Sequence, residues 1–95
     1  MELKLEFTEV SKGLWVAEFV ATANFNLHIE RTERGSLVVS QRGTDSGEYA
    51  PAFMKGIYEG AAIFDSDFGA LVYPKWIKIE SGSKVVSCTV TQAEE

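Results

Sequence analysis

The sequence predicts an all-β protein, a small antiparallel β-sandwich with jelly-roll-like connections and about eight short strands; a closed barrel is the second choice. The main observation is a segment in which every odd position is apolar. That is the period of a strand with one face against a core, and not the period of a helix. Frequent turn signals between short apolar runs are the second observation. The apolar odd positions are Trp15, Ala17, Phe19, Ala21, Ala23, Phe25, Leu27 and Ile29.

The chain is long enough for a single domain, residues 1–95, with a core of its own. A hydrophobic fraction of 45% predicts a packed protein rather than a disordered one. The formal net charge is −5, and the acidic residues are spread along the chain. This distribution favours solubility and argues against a nucleic-acid partner.

The first strands follow from local alternation. Apolar side chains at Leu3, Leu5 and Phe7 alternate with polar ones, which predicts an amphipathic first strand, and residues 11–13 supply a turn. The long alternating run comes next. As one strand of about 17 residues it would exceed the usual three to ten. We therefore expect a bend at residues 22–24, where the chain curves or crosses between sheets.

The two halves of the long run differ on their even positions. From 24 to 30 these positions are polar, so His28 is expected on a solvated face. From 14 to 20 they are largely apolar: Leu14, Val16 and Val20, interrupted by Glu18. This first half is therefore expected to be covered on both sides, by its own chain or by another copy of the protein.

Two hairpins are predicted from turn composition. Residues 32–35, ending in Gly35, are expected to join strands 25–31 and 36–42 in a hairpin with a positive φ at Gly35. Residues 81–83 are expected to join strands 75–80 and 84–91 in the same way.

The middle of the chain is less regular. Residues 43–47 are predicted to form a turn, and residues 50–60 a strand followed by a turn, with a single helical turn as the alternative. Two short strands are expected at 61–64 and 70–73, separated by a loop at 65–69. The predicted core consists of Leu3, Leu5, Phe7, Trp15, Ala17, Phe19, Phe25, Leu27, Ile29, Ile77, Ile79, Val86 and Val90.

Few residues of the chain have side chains suited to nucleophilic catalysis. The single histidine lies on a polar strand face, and the single cysteine, Cys88, shares a face with valines, so a nucleophile–base pair is not expected. One Cys and one His cannot supply four zinc ligands. The acidic runs 45–48 and 65–67 offer oxygens for calcium, but turn chemistry explains the same residues without a metal and is the preferred interpretation. We predict no enzyme activity, no metal and no cofactor.

Trp76 is the most informative candidate for binding. Alternation places Ile77 and Ile79 in the core and Trp76 on the opposite face, where an aromatic ring can anchor a protein interface or stack on a sugar. The predicted interface consists of Leu14, Val16, Val20 and Trp76. The alternative ligand site uses the aromatic residues Tyr49, Tyr58, Tyr73 and Trp76.

The function expected first is a non-enzymatic structural or interaction module that self-assembles or docks in a larger assembly, as small acidic β-modules do in the capsids and tails of bacterial viruses. The alternative is a carbohydrate-binding β-sandwich, so a sugar or another small molecule is the second kind of partner considered. The chain carries no secretory signal at its start and no membrane-spanning stretch, and its lone cysteine suits a reducing compartment. A soluble, cytoplasmic protein is expected.

Overall fold

The structure is a computed structural model that describes residues 2–43, 50–51, 57–60, 62–69 and 73–93. Ten strands account for most of these residues, and none of them is helical. The strands are β1 (Glu2–Lys4), β2 (Thr8–Ser11), β3 (Leu14–Ala21), β4 (Phe25–Arg31), β5 (Gly35–Arg42), β6 (Ala50–Pro51), β7 (Ile57–Gly60), β8 (Ile63–Phe68), β9 (Lys75–Ser81) and β10 (Val85–Gln92).

The strands form two antiparallel sheets that pack face to face. Sheet A has the order β1-β10-β4-β8, and sheet B has the order β2-β3-β9-β5, with β6 and β7 both pairing with β5. Every described pairing lies within one sheet, so the molecule is a sandwich and not a closed barrel. The order β1-β10-β4-β8 facing β3-β9-β5-β7 is that of a jelly roll. The predicted fold class is confirmed.

The long alternating segment divides as expected. β3 ends at Ala21 in sheet B and β4 begins at Phe25 in sheet A, so residues 22–24 carry the chain between sheets. The predicted turn at residues 11–13 is confirmed too, as the connection between β2 and β3. Gly13 has a φ of 81°, which a residue without a side chain adopts at no steric cost.

Both predicted hairpins are wrong. β4 pairs with β10 and β8, whereas β5 pairs with β9, β6 and β7; likewise β9 and β10 belong to different sheets. The turns at 32–34 and 82–84 are therefore corners at which the chain crosses the sandwich. Gly35 begins β5 without a positive φ, so that prediction is wrong as well. Its small size is explained by packing, because a Cβ there would lie 3.3 Å from the Cβ of Ser83.

The two corners lie side by side at one end of the sandwich. Gly82 donates its amide to the Ser36 carbonyl (2.9 Å), and Thr32 donates its amide to Lys84 (2.9 Å). Arg31, only 6% exposed, donates through Nη1 to the carbonyls of Gly35 (3.1 Å) and Ser36 (3.0 Å). Desolvation lowers the pKa of this guanidinium from its ordinary value. A buried cation thus stabilises the end of β4 against the start of β5.

The core lies between the two sheets and is built largely from the residues that alternation predicts. Fully or nearly fully buried members of the predicted core are Ala17, Phe25, Leu27, Ile29, Ile77, Ile79 and Val90. Leu3, Leu5, Phe7 and Phe19 pack against them and are partly buried, and Trp15 is half-buried. Leu37, Val39 and Phe68 are buried core residues that the sequence analysis did not include.

The prediction that Val86 lies in the core is wrong, because Val86 is 65% exposed. A bulge causes the error. Val85 pairs with Arg31 and Ser87 pairs with Glu30, so β10 contains one residue more than β4 at this point. The extra residue shifts the alternation, and Val85 packs against the core in place of Val86.

The prediction of a loop at residues 65–69 is also wrong, because residues 65–68 belong to β8. Phe68 is buried and Asp65 and Asp67 are exposed, as in an amphipathic strand. Within the predicted strand at 70–73, residues 70–72 lie outside the described residues. So do residues 44–47 of the predicted turn. In the segment 50–60 the structure describes β6 and β7, and residues 52–56 lie outside it.

Candidate functional site

The outer face of sheet B carries the predicted interface residues. In β3 the side chains of Val16, Glu18 and Val20 point away from the core, and in β9 those of Trp76, Lys78 and Glu80 do the same, as the burial of the intervening residues shows. The strands are in register, so that Val16 pairs with Glu80, Glu18 with Lys78 and Val20 with Trp76. We call these six residues the β3–β9 surface.

Val20 and Trp76 form the apolar end of the β3–β9 surface. Val20 is 42% exposed and Trp76 is half-buried, whereas Ile77 and Ile79 are completely buried. Trp76 therefore lies on the outer face, as alternation predicts. Leu14, six residues before Val20 in β3, lies about 20 Å away along the strand. The structure brings Val20 and Trp76 together and leaves Leu14 at the far end.

Charged side chains occupy the middle of the β3–β9 surface. Glu18 pairs across the strands with Lys78. Lys78 also approaches Glu80, with 3.7 Å between Nζ and Oε1. Arg42 on β5 pairs with Trp76 from the other side. Acidic and basic groups therefore alternate next to the outward-facing apolar pair Val20 and Trp76.

The predicted sugar-stacking residues are not assembled into one site by the described residues. Tyr73 is half-buried against the core, and its hydroxyl donates to Oδ1 of Asn24 (2.6 Å). Its ring therefore has a structural use. Tyr49 and the side chain of Tyr58 lie outside the described residues.

The outer face of sheet A carries a hydrogen-bonded network of polar side chains centred on His28. Nδ1 of His28 lies 2.9 Å from Oδ2 of Asp65, and Nε2 lies 3.5 Å from Oε1 of Glu30. Asn26 donates through Nδ2 to Asp65 (2.7 Å) and Asp67 (3.0 Å). Alternation predicts His28 on a solvated face, as observed, but the composition of residues 65–69 predicts a loop at its partner Asp65, which lies in β8.

This network shifts two pKa values in opposite directions. Hydrogen bonds to Asp65 and then to Glu30 raise the pKa of His28 above 6.5, because they stabilise the imidazolium. Hydrogen bonds from Asn26 and then from His28 lower the pKa of Asp65 below 3.8. The network is therefore strongest between these two ordinary values.

We expect a pH-dependent contribution of His28 to stability. Because its pKa is raised on folding, the contribution is fully present below pH 6.5 and is lost as the pH rises through the raised value. The contribution of Asp65 is present above pH 3.8 and is lost as the pH falls through its lowered value. Urea unfolding of the wild type and of His28→Gln across this range measures the effect. A difference between the two proteins that stays constant with pH would contradict it.

Cys88 and His28 cannot act together. Cys88 points into the core, where burial raises the pKa of its thiol to about 12, so it stays protonated. Its neighbour Thr89 pairs with His28, which places the thiol and the imidazole on opposite faces of sheet A. Within the described part of the chain, no group of three or more acidic, His or Cys side chains is arranged to hold a metal ion. Asp45 and Glu48 lie outside that part.

The described residues include no helix long and apolar enough to cross a bilayer. No protein-family model, curated protein or solved structure matches the chain. The jelly-roll fold and the surfaces of its two sheets are therefore the basis for a functional proposal.

Proposed function

We propose that this protein is a non-enzymatic interaction module that associates with a second copy of itself through the β3–β9 surface. The observation that carries the proposal is the outward-facing pair of Val20, which is exposed, and Trp76, which is half-buried, on an outer face against which no described strand packs. Tryptophan is the residue type most enriched among side chains that dominate interface energies. The exposed side chain of Val20 beside it adds to an apolar centre of the kind that such interfaces need.

The charge pattern favours a second copy as the partner. A two-fold axis along the seam between β3 and β9 would place β3 of one copy over β9 of the other. Because Glu18 pairs with Lys78 and Val20 pairs with Trp76, each Glu18 would then face the partner's Lys78. In the same arrangement each Val20 would face the partner's Trp76. Opposite charges and apolar groups thus match without any change of backbone.

The size of the face is sufficient for such a dimer. The molecule measures 34 × 27 × 22 Å, and the shortest dimension is that of two packed sheets. The broad face therefore has room for the roughly 800 Å² that each partner contributes to an interface of standard size. A dimer built in this way leaves the outer face of sheet A open, so that further contacts could extend it into a larger assembly.

The absence of catalytic function is part of the proposal. It is supported by the placement of Cys88 and His28 on opposite faces of one sheet. A cytoplasmic location is also proposed, and the free, buried thiol of Cys88 supports it.

Sedimentation equilibrium at micromolar concentration tests the proposal. We expect a dimer for the wild type and a monomer for Val20→Lys and Trp76→Ala, since each variant removes part of the apolar end. Val86→Lys is the matched control, because it makes the same change at an exposed valine of sheet A and should stay dimeric.

The fold should survive these substitutions. Trp76 faces outward, so Trp76→Ala should destabilise the monomer by less than the roughly 3–5 kcal/mol typical of a buried aromatic. A wild-type mass that stays monomeric over the whole accessible concentration range would refute self-association. In that case, a change of tryptophan fluorescence on adding sugars would support the carbohydrate-binding alternative at Trp76.

A further inference from the structure

Strand β8 forms one edge of sheet A. Its inner neighbour β4 pairs with it along its whole length, and no strand among the described residues pairs with its other side. A sheet edge of this kind presents unpaired backbone groups, and it can receive an extended segment of another chain as a further strand. The free edge of β8 is therefore a candidate for strand addition.

The backbone groups that point outward from β8 follow from its hydrogen bonds to β4. The amide of Arg31 donates to the carbonyl of Ala62 (2.8 Å), in the same register as the whole β4–β8 pair. Because bonded and non-bonded residues alternate along an antiparallel pair, the even-numbered residues of β8 bond to β4. The amides and carbonyls of Ile63, Asp65 and Asp67 therefore point away from β4, toward the free edge.

The side chains beside this edge are acidic. Asp65 and Asp67 are exposed on the outer face of sheet A, where Asn26 and His28 hold their carboxylates in place at distances of 2.7–3.0 Å. Residues that face each other in a bonded antiparallel pair lie about 5.5 Å apart between Cα atoms, so that opposite charges attract. An added strand with a basic residue opposite each of these aspartates is therefore favoured.

A second copy of β8 is a poor occupant of the same edge. If the outer faces of both copies stay on the same side, two registers overlap most of the strand. One register places Asp65 opposite Asp65 of the second copy, and the other places Asp65 opposite Asp67 of the second copy. Like charges directly opposite each other destabilise a strand pair. The charges of β8 thus select a basic partner over self-pairing.

We infer that the free edge of β8 binds an extended, basic segment of another protein as an additional antiparallel strand. Lysine or arginine side chains at alternate positions of that segment lie opposite Asp65 and Asp67, and its backbone bonds to these residues and to Ile63. The side chain of Ile63 is 61% exposed and offers an apolar contact at the start of β8. The inference does not depend on the proposed dimer, which uses sheet B.

NMR titration of the ¹⁵N-labelled protein with a blocked peptide of alternating lysine and valine, six residues long like β8, tests the inference. We expect saturable shifts and slower hydrogen exchange at the amides of Ile63, Asp65 and Asp67. The same peptide methylated on the backbone nitrogens of its lysines keeps its charge but cannot donate to the edge. It should bind more weakly by about fivefold or more, the loss expected for one hydrogen bond. A peptide of alternating glutamate and valine should not bind.

Asp67→Lys and Glu2→Lys distinguish the edge from the general charge of sheet A. Glu2 lies in β1 at the opposite edge of the sheet, on the same face and in the same row of paired residues as Asp67. Asp67→Lys should weaken binding of the lysine peptide by about fivefold or more, because attraction becomes repulsion. Glu2→Lys makes the same change of charge three strands away and should bind nearly as the wild type does.

The inference is overturned by the absence of a saturable shift with the lysine peptide, or by shifts centred on another strand. Equal affinity for the glutamate or the methylated peptide, or equal affinity in Asp67→Lys and Glu2→Lys, would also overturn it. The peptide comparisons use the wild type, so they do not require that either variant folds. The monomeric Val20→Lys variant should bind the lysine peptide as the wild type does, so a failure of the dimer and a failure of strand addition give different results.

Discussion

Replacing Ile79 by alanine is expected to lower the free energy of unfolding by about 2–5 kcal/mol. Ile79 is completely buried in β9, where it pairs with Ala17 of β3 and Val39 of β5. It therefore lies at the middle of sheet B and faces sheet A. Its loss removes apolar contacts and leaves a cavity that the flanking strands cannot fill without moving.

Ile63→Ala is the matched control for Ile79→Ala, because Ile63 lies in β8 and is 61% exposed. The same substitution there should change stability by less than about 0.5 kcal/mol. Chemical denaturation of both variants and the wild type gives the comparison. Equal effects at the two positions would mean that the two sheets do not pack as described.

Replacing Arg31 by methionine is the second change with a large expected effect, about 3 kcal/mol of destabilisation. Methionine keeps most of the volume but cannot donate to the carbonyls of Gly35 and Ser36 or to Oγ of Ser81. These acceptors lie where two chain crossings meet, and the guanidinium that binds them is itself buried. The corner should open before the rest of the sandwich does.

Arg34→Met is the control for Arg31→Met, because Arg34 lies in the same corner and is exposed. It should leave the unfolding free energy nearly unchanged. Hydrogen exchange adds a local measurement, since the amide of Gly82 bonds to Ser36 across the two corners. Exchange at Gly82 should accelerate in Arg31→Met; equal stability and equal exchange in both variants would show that Arg31 does not join the corners.

Most of the fold prediction rests on the alternation of apolar and polar residues within single strands. The inward-facing Phe25, Leu27 and Ile29 were predicted because side chains of successive strand residues alternate between faces. The same rule placed Trp76 and Val20 outward. Neither conclusion depends on which strands pair, so both follow from the sequence alone.

Which strands pair with each other cannot be predicted from alternation within a strand. Polar residues ending in glycine, as at 32–35, suit a hairpin turn and a sheet-crossing corner equally well, since both need a tight change of direction. The strand that pairs with β4 decides between a hairpin and a corner. That strand is β10, which lies more than 50 residues further along the chain. The bulge that exposes Val86 likewise depends on pairing with Arg31 and Glu30.

The polar groups of sheet A depend on the same distant register. Asn26 and Asp67 are separated by 41 residues and meet only because β4 and β8 are neighbours. The composition of residues 65–69 predicts a loop at Asp67, so the sequence alone does not reveal the network around His28. The proposed interface on sheet B depends only on which residues of β3 and β9 face outward, which alternation predicts. The register of the two strands adds the pairing of Glu18 with Lys78.

The pairing of Glu18 with Lys78 permits the most direct test of self-association. Glu18→Lys alone would place lysine opposite the partner's Lys78, and Lys78→Glu alone would place glutamate opposite the partner's Glu18. Each variant by itself should therefore be monomeric. Sedimentation of an equimolar mixture of the two is the deciding measurement, because opposite charges face each other again in a mixed dimer. We predict dimers in the mixture and monomers in each variant alone; a mixture that stays monomeric, or single variants that dimerise like the wild type, would contradict association through the β3–β9 surface.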